Sequence, residues 1–233
     1  MKNDDAIERE EDISSFFSVQ TTLSLVSAQS LLVIVAIIAA NVIGVANNGL
    51  GDRFALDLES IKFGILATLP LFVLAFILDY VEKDVPALQD VTKATQRSVL
   101  ALLGGARIPV VAIGVSMALG AAAGLGEEML FRGVLQGELG ERFGDIAALT
   151  SSALIFGALH AVTPLYAILA SLASLYFGEL YLQSQNLAVP IVCHGLYDVG
   201  ALFAAHLQVT ALSPKEREDL ENWIPPGSRD IET

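Results

Sequence analysis

Two adjacent glutamates and an arginine stand at the end of a long apolar stretch of this chain. They form the pattern Glu127-Glu128-x-x-x-Arg132, directly after an uncharged run rich in glycine and alanine. On a helix, residues four apart lie on one face, so Glu128 and Arg132 are positioned to pair. Glu127 lies about 100° round the helix axis from Glu128. The spacing therefore predicts that one carboxylate pairs with the arginine and that the other is free for acid–base chemistry.

Two later apolar segments each contain a histidine within a one-turn motif. The motifs are Phe156-x-x-x-His160 and His194-x-x-x-Asp198. A charged side chain inside a bilayer is costly, so ionisable residues in apolar segments usually face protein or a water-lined cavity. Each motif alone has a structural explanation: the glutamates could end a helix at the headgroups, His160 could hydrogen-bond a neighbouring helix, and His194 could pair with Asp198. Their occurrence together on three segments predicts one shared cavity.

The composition is that of a membrane protein. The chain is 54% hydrophobic and 17% charged, and its mean hydropathy of +0.60 exceeds that of most soluble proteins. The formal net charge of −13 comes largely from acidic tails. Without a basic patch, the chain is not expected to bind nucleic acid. The single cysteine, Cys193, excludes an intramolecular disulfide.

The apolar runs predict an all-α, polytopic transmembrane helix bundle of about six spans. Between the second and third spans, residues 81–107 are more polar, and their periodicity predicts a helix along the membrane surface. We divide the chain into an acidic tail, two N-terminal spans with the surface segment, a membrane core with the motifs on the four C-terminal spans, and a polar tail. These four parts are residues 1–22, 23–104, 105–211 and 212–233. The six predicted spans are residues 23–46, 61–80, 108–126, 145–162, 165–185 and 188–211.

The distribution of positive charge predicts the orientation in the membrane. Loops with more lysine and arginine usually face the cytoplasm. With six spans, one side has nine such residues and the other has four, so we expect both termini in the cytoplasm. The four are Arg53, Lys62, Arg132 and Arg142.

The three motifs together resemble those of the CPBP family of intramembrane proteases, in the order that the family has. The resemblance covers about residues 105–205. That family, the type II CAAX endopeptidases, includes the eukaryotic endoprotease that trims prenylated CAAX proteins, and bacterial relatives linked to bacteriocin self-immunity. The resemblance implies a hydrolase that cleaves a peptide or prenylated protein substrate within the lipid membrane.

The resemblance also implies roles for the first two motifs. Peptide hydrolysis needs an activated water, a stabilised oxyanion and a protonated leaving amine. Glu127, with His160, is expected to orient and deprotonate the water. Glu128 and Arg132 are expected to pair and fix the helix. Spacing alone does not decide which glutamate is the base, and the resemblance favours the first.

The last motif leaves the use of a metal open. His194 and Asp198 are expected to face the developing oxyanion or to hold a metal. The family has Asn or Asp at the last position, and an ionised Asp198 cannot donate a hydrogen bond to an oxyanion. Two histidines with carboxylates are enough ligands for a divalent metal such as zinc. The His-Glu-x-x-His zinc motif is absent, so metal-dependent and glutamate-only reactions are both alternatives.

Two functions of other classes would also place ionisable residues inside a membrane. A proton-coupled transporter would use buried Glu, His and Asp side chains as a relay, but no repeated half is visible in the sequence. A non-catalytic scaffold or immunity protein would have no need of both glutamates and both histidines, and this chain has all four. An intramembrane endopeptidase is therefore the function that the sequence predicts.

Overall fold

A computed structural model of the chain describes residues 17–226, and this part of the chain is helical without a β-strand. A π-helical segment, Met129–Gln136, joins the fourth α-helix to the fifth, and short 3-10 turns lie at Ala46–Gly49 and Glu82–Asp84. The α-helices are α1 (Val19–Ile43), α2 (Leu58–Val81), α3 (Pro86–Leu103), α4 (Pro109–Glu128), α5 (Gly137–Phe143), α6 (Asp145–Leu159), α7 (Pro164–Ser184), α8 (Ala188–Ala211) and α9 (Pro214–Glu221).

Five helical stretches are long and apolar enough to cross a membrane, which confirms the predicted all-α membrane bundle. They are Val19–Ile43, Leu58–Asp84, Pro109–Phe143, Pro164–Ser184 and Ala188–Ala211. The span predicted at residues 145–162 is present as α6, a shorter apolar helix of 15 residues. At 1.5 Å per residue, α6 is about 22 Å long, less than the hydrocarbon core of about 30 Å.

The ends of the chain differ in detail from the predicted tails. Helix α1 begins at Val19, so residues 19–22 belong to the first helix and not to a polar tail. In the C-terminal tail, residues 214–221 form α9. The remaining tail residues, 1–16 and 227–233, lie outside the described part of the chain. The division into four parts stays a prediction.

Helices α4 and α8 cross in backbone contact. A Cβ atom added at Gly120 would lie 2.6 Å from the Gly195 carbonyl oxygen, and one at Gly124 would lie 2.9 Å from the Gly195 amide nitrogen. Larger residues would separate the two backbones, which is the reason for small residues at such crossings. Because the glutamate pair follows on α4 and His194 precedes Gly195, this crossing sets two of the motifs side by side.

The π-helical segment begins directly after the glutamate pair. Within it, the Gly137 N–H donates to the Arg132 carbonyl, five residues earlier. The helical stretch continues through Gly133 to Phe143 without a break. Single π turns inside α-helices are frequent at functional sites because they shift the side chains that follow.

The connection between α6 and α7 fixes the second motif. Helix α6 ends at Leu159, and the backbone N–H of His160 donates to the Phe156 carbonyl at 3.2 Å. Helix α7 begins at Pro164, where the hydroxyl of the N-cap residue Thr163 accepts the Tyr166 N–H at 3.1 Å. Such an N-terminal cap satisfies a backbone donor that the helix itself leaves free. His160 therefore occupies the end of a short helix that is held at a tight turn.

Candidate active site

Four of the predicted site residues line one cavity. Its volume is about 440 Å³, and Glu127, His160, His194 and Asp198 lie in its wall. The remaining wall is mostly apolar and comes from α1, α3, α4, α6, α7 and α8. An apolar pocket with a few convergent polar groups is the usual form of a small-molecule or peptide-binding site. The structure therefore brings the three motifs together.

Glu128 and Arg132 form a buried ion pair beside this cavity. Arg132 Nη1 lies 3.1 Å from Glu128 Oε1, and both side chains are fully buried. Arg132 Nη2 also donates to the carbonyl and to the hydroxyl of Ser174 on α7, each at 2.9 Å. A buried charge needs such partners because water is excluded. The pair predicted from the i, i+4 spacing is present, and it ties the end of α4 to α7.

Three phenylalanine rings surround the guanidinium of Arg132. Its central carbon lies 5.2 Å from the centroid of Phe156, 5.5 Å from that of Phe177 and 5.9 Å from that of Phe131. A cation over an aromatic face is attracted by the ring quadrupole, and this attraction is stronger where water is excluded. The aromatic shell therefore favours the charged form of Arg132 at a position without solvent.

His194 lies between the buried ion pair and the cavity. Its Nδ1 lies 2.7 Å from Glu128 Oε1, and an ionised carboxylate only accepts, so Nδ1 carries the proton of this hydrogen bond. Its Nε2 lies 3.5 Å from Asp198 Oδ2 and 3.9 Å from Glu127 Oε2. The ring also stacks on Phe177, with centroids 4.6 Å apart. Glu128 therefore fixes the orientation of His194, with Nε2 directed to the cavity.

His160 is oriented by its own helix. Its Nδ1 lies 2.8 Å from the Phe156 carbonyl oxygen, which can only accept, so Nδ1 is the protonated nitrogen of the neutral ring. The two side chains of this motif stack with centroids 4.2 Å apart. The lone pair on Nε2 then faces Glu127, whose Oε2 lies 3.8 Å away. The motif Phe156-x-x-x-His160 thus supplies both the carbonyl and the ring that position the imidazole.

Glu127 is the carboxylate that faces both histidines. Its Oε2 lies 3.8 Å from His160 Nε2 and 3.9 Å from His194 Nε2, too far for direct hydrogen bonds. Polar atoms at such separations are commonly bridged by a water molecule. A water held between Glu127 Oε2 and His160 Nε2 would have an acceptor on each side. This arrangement can orient a water and remove a proton from it.

Metal binding has less support from the same side chains. Within residues 17–226, no group of three or more His, Cys, Asp or Glu side chains is arranged to hold a metal ion. His194 Nδ1 is engaged by Glu128 and His160 Nδ1 by a backbone carbonyl, which leaves one nitrogen on each ring. The metal site that the sequence left open stays untested, and the steps derived below use no metal.

The structure adds cavity residues that the sequence patterns did not indicate. Tyr166, on the first turn of α7, lies in the cavity wall with Glu127 and Asp198. The polar helix α3 contributes Val91 and Thr95 to the same wall. Its amphipathic pattern predicted a surface helix but not the partner of its apolar face. These residues carry no motif, so only the packing of the helices shows them.

A second cavity of about 400 Å³ adjoins the first. Its wall shares Val91, Thr95, Leu169, Tyr197 and Ala201 with the cavity of the motifs. The remaining wall comes from α2, α3 and α8, and its largest side chains are aromatic and aliphatic. The two cavities therefore offer a largely apolar surface next to the polar cluster.

Comparison with known proteins finds a family model that matches part of the chain. Residues 109–200 match the model of the family named Rce1-like, which is described as type II CAAX prenyl endopeptidase Rce1-like. The matched region contains all three motifs. No curated protein and no solved structure matches the chain.

Proposed function

We propose that this protein cleaves a peptide bond of a membrane-associated or prenylated substrate through a water activated by Glu127. The premise is that residues 109–200 belong to the Rce1-like family of type II CAAX prenyl endopeptidases. The family is a protease family, and the apolar helices make the chain a multi-pass integral membrane protein. The observation that carries the proposal is the position of Glu127, whose Oε2 is faced by Nε2 of both motif histidines in one cavity.

Glu127 acts as the general base in the first step. The water donates one hydrogen bond to Glu127 Oε2 and another to His160 Nε2, both of which accept. Glu127 removes a proton as the water oxygen forms a bond to the scissile carbonyl carbon. The electron pair of the C=O bond moves to the oxygen, which becomes the oxyanion. General base catalysis of this kind contributes about 10²–10⁴-fold to the rate.

The second step breaks the carbon–nitrogen bond. The oxyanion re-forms the carbonyl, and the leaving nitrogen takes the proton that Glu127 removed from the water. Glu127 is thereby returned to its carboxylate form, and the products are a carboxylic acid and an amine. One residue that is base and then acid must reach both the water and the leaving nitrogen, and the place of Glu127 in the cavity wall supports this role.

His194 and Asp198 act on the oxyanion. His194 Nδ1 already donates to Glu128, so a proton on Nε2 makes the ring a cation that can donate towards the substrate. Asp198 Oδ2, 3.5 Å from that nitrogen, stabilises the cationic ring. Donors that are held in place before charge develops supply a large share of catalysis in acyl transfer. Glu128 and Arg132 act through His194, as positioning residues.

The second cavity is suited to the apolar part of the substrate. Its aromatic and aliphatic wall adjoins the site of bond cleavage. Burial of an apolar chain contributes about 25 cal/mol per Å² removed from water. A lipid-modified peptide could place its apolar chain there and its peptide backbone beside Glu127. This placement supports a prenylated or otherwise apolar substrate over a polar soluble peptide.

The proposal is tested with purified protein in detergent and two synthetic peptides that differ only in a farnesyl group. Mass spectrometry should show cleavage of the farnesylated peptide at a higher rate than that of the other peptide, and cleavage by Glu127→Gln should be at least about 10²-fold slower. A chelator should leave the rate unchanged. If the chelator abolishes cleavage and zinc restores it, a metal takes part. If the wild type cleaves neither peptide but conducts protons in liposomes, the protein is a transporter.

We also propose that both termini face the cytoplasm, because nine positive charges lie on that side and four on the other. This orientation requires an even number of crossings, so α6 must complete a sixth crossing despite its length of 15 residues. Reporter fusions at residue 233 and within residues 46–60 should report opposite sides of the membrane. An exported C-terminal reporter would show that the number of crossings or the orientation is wrong.

A further inference from the structure

One phenol shares the cavity of the motifs without belonging to any of them. Tyr166 lies in the wall together with Glu127, His160, His194 and Asp198. Its backbone is fixed on the first turn of α7, where its N–H donates to the Thr163 hydroxyl at 3.1 Å. The side chain is partly buried.

The proposed reaction has few donors for the oxyanion. An ionised aspartate has only acceptors, so Asp198 offers no hydrogen bond to a developing negative charge. His194 has one nitrogen available, because its Nδ1 donates to Glu128 at 2.7 Å. Oxyanion sites generally use more than one donor, and the loss of one costs about 10²–10³-fold in turnover. A neutral donor in the same cavity would supply what the aspartate does not.

We propose that the Tyr166 hydroxyl donates a hydrogen bond to the oxyanion of the tetrahedral intermediate, beside His194. A phenol is neutral near pH 7 and donates without requiring a charged partner. The proton stays on the phenol throughout, so the bond changes of the hydrolysis are unaltered. Tyr166 is thereby a catalytic residue in the transition state. This inference rests on the proposed function, since it requires an oxyanion.

The position of Tyr166 relative to His160 supports this role. The tight turn of residues 160–163 links the two residues, and the Thr163 cap holds the start of α7. The imidazole that holds the water and the phenol therefore lie on either side of one short connection.

The test replaces only the hydroxyl. Tyr166→Phe should lower kcat about 10²–10³-fold with little change in KM, because the bond forms only in the transition state. Tyr181→Phe is the matched control, since it makes the same change on α7 and packs in the cluster of Met129 and Leu187. It should leave kcat and KM unchanged. Thermal unfolding of both variants should match that of the wild type.

A second variant distinguishes a hydrogen-bonding role of Tyr166 from a purely structural one. Asp198→Asn removes the carboxylate that stabilises the cationic His194 ring, so it should lower kcat in the wild type, but asparagine also supplies an N–H donor that aspartate lacks. The loss should therefore be smaller when Asp198→Asn is added to Tyr166→Phe. An equal loss in both backgrounds, or a Tyr166→Phe kcat within threefold of the wild type, overturns the inference. Cleavage by the wild type and its loss in Glu127→Gln would meanwhile leave the proposed function intact.

Discussion

The two sides of the His194 ring have opposite surroundings. On the Nδ1 side, Glu128 and Arg132 are fully buried, and aromatic rings and Ser174 enclose the guanidinium. On the Nε2 side, Asp198 is 30% exposed and His160 is 32% exposed, and both line a cavity with Glu127. The buried side has short contacts, at 2.7 Å and 3.1 Å. The cavity side has separations of 3.5–3.9 Å, as a space for water and substrate requires.

This difference shows how two consecutive residues of one type take separate functions. Glu127 and Glu128 differ by one helical step of about 100°, and that step moves the carboxylate from a closed ion pair to the wall of the cavity. The Glu128–Arg132 pair fixes His194, whereas the Glu127 carboxylate, although 7% exposed, has no ion-pair partner closer than 3.8 Å among the described residues. A base needs such freedom, because a carboxylate held by an arginine is a poor acceptor for a further proton.

The largest effect is expected on the buried side. Glu128→Gln leaves Arg132 as a buried charge without its counter-ion, which costs about 3–5 kcal/mol of stability. It also releases His194, so cleavage should fall to background. Thermal unfolding in detergent measures the first effect and peptide cleavage the second. Adding Arg132→Met should recover much of the lost stability without activity. Unfolding of Glu128→Gln at the wild-type Tm would contradict the structural role of the pair.

The second-largest effect is expected on the cavity side of the His194 ring. His160→Ala removes the nitrogen that holds the water and should lower kcat about 10²–10⁴-fold at an unchanged Tm. The double variant with Glu127→Ala should lose little more than the worse single variant, because residues that act as one unit are not additive. Steady-state kinetics of the four proteins provides the comparison. A double variant whose loss equals the product of the single losses would show that the two residues act independently.

The smallest effect is expected in the second cavity. Ala204 lies in the wall of this cavity and not in the wall of the first one, and Ala204→Phe would occupy space for an apolar chain. We expect KM for the farnesylated peptide to rise about tenfold or more, the range for one misfit in an apolar pocket. Cleavage of the peptide without the farnesyl group is the control and should not change. Equal effects on both peptides would place the apolar chain elsewhere.

The sequence predicted the buried side of His194 better than the cavity side. The Glu128–Arg132 pair follows from i, i+4 spacing within a single helix, so local geometry was sufficient. The proximity of Glu127 to both histidines depends on the crossing of α4 and α8 and on the turn after α6. The motifs indicated that they meet, but no local rule gives the separations of 3.8 Å and 3.9 Å.

Other features depend on packing between distant segments. The span at residues 145–162 was predicted too long because Ala161 and Val162 continue the apolar run, whereas the helix ends before His160. Helix α3 was predicted from its periodicity, but an amphipathic pattern identifies a face and not its partner. Tyr166 was missed because one tyrosine near a helix start carries no sequence signal. Its place in the cavity depends on how α7 packs against α6 and α8.

The comparison of Glu127 with Glu128 is tested most directly by the turnover of Glu127→Gln. This change keeps the size and polarity of the side chain and removes only its ability to take a proton. Measured on the farnesylated peptide with the folded fraction determined by thermal unfolding, kcat should fall at least about 10²-fold, while Tm stays at the wild-type value. Cleavage by Glu127→Gln at the wild-type rate would contradict the account and show that another group activates the water.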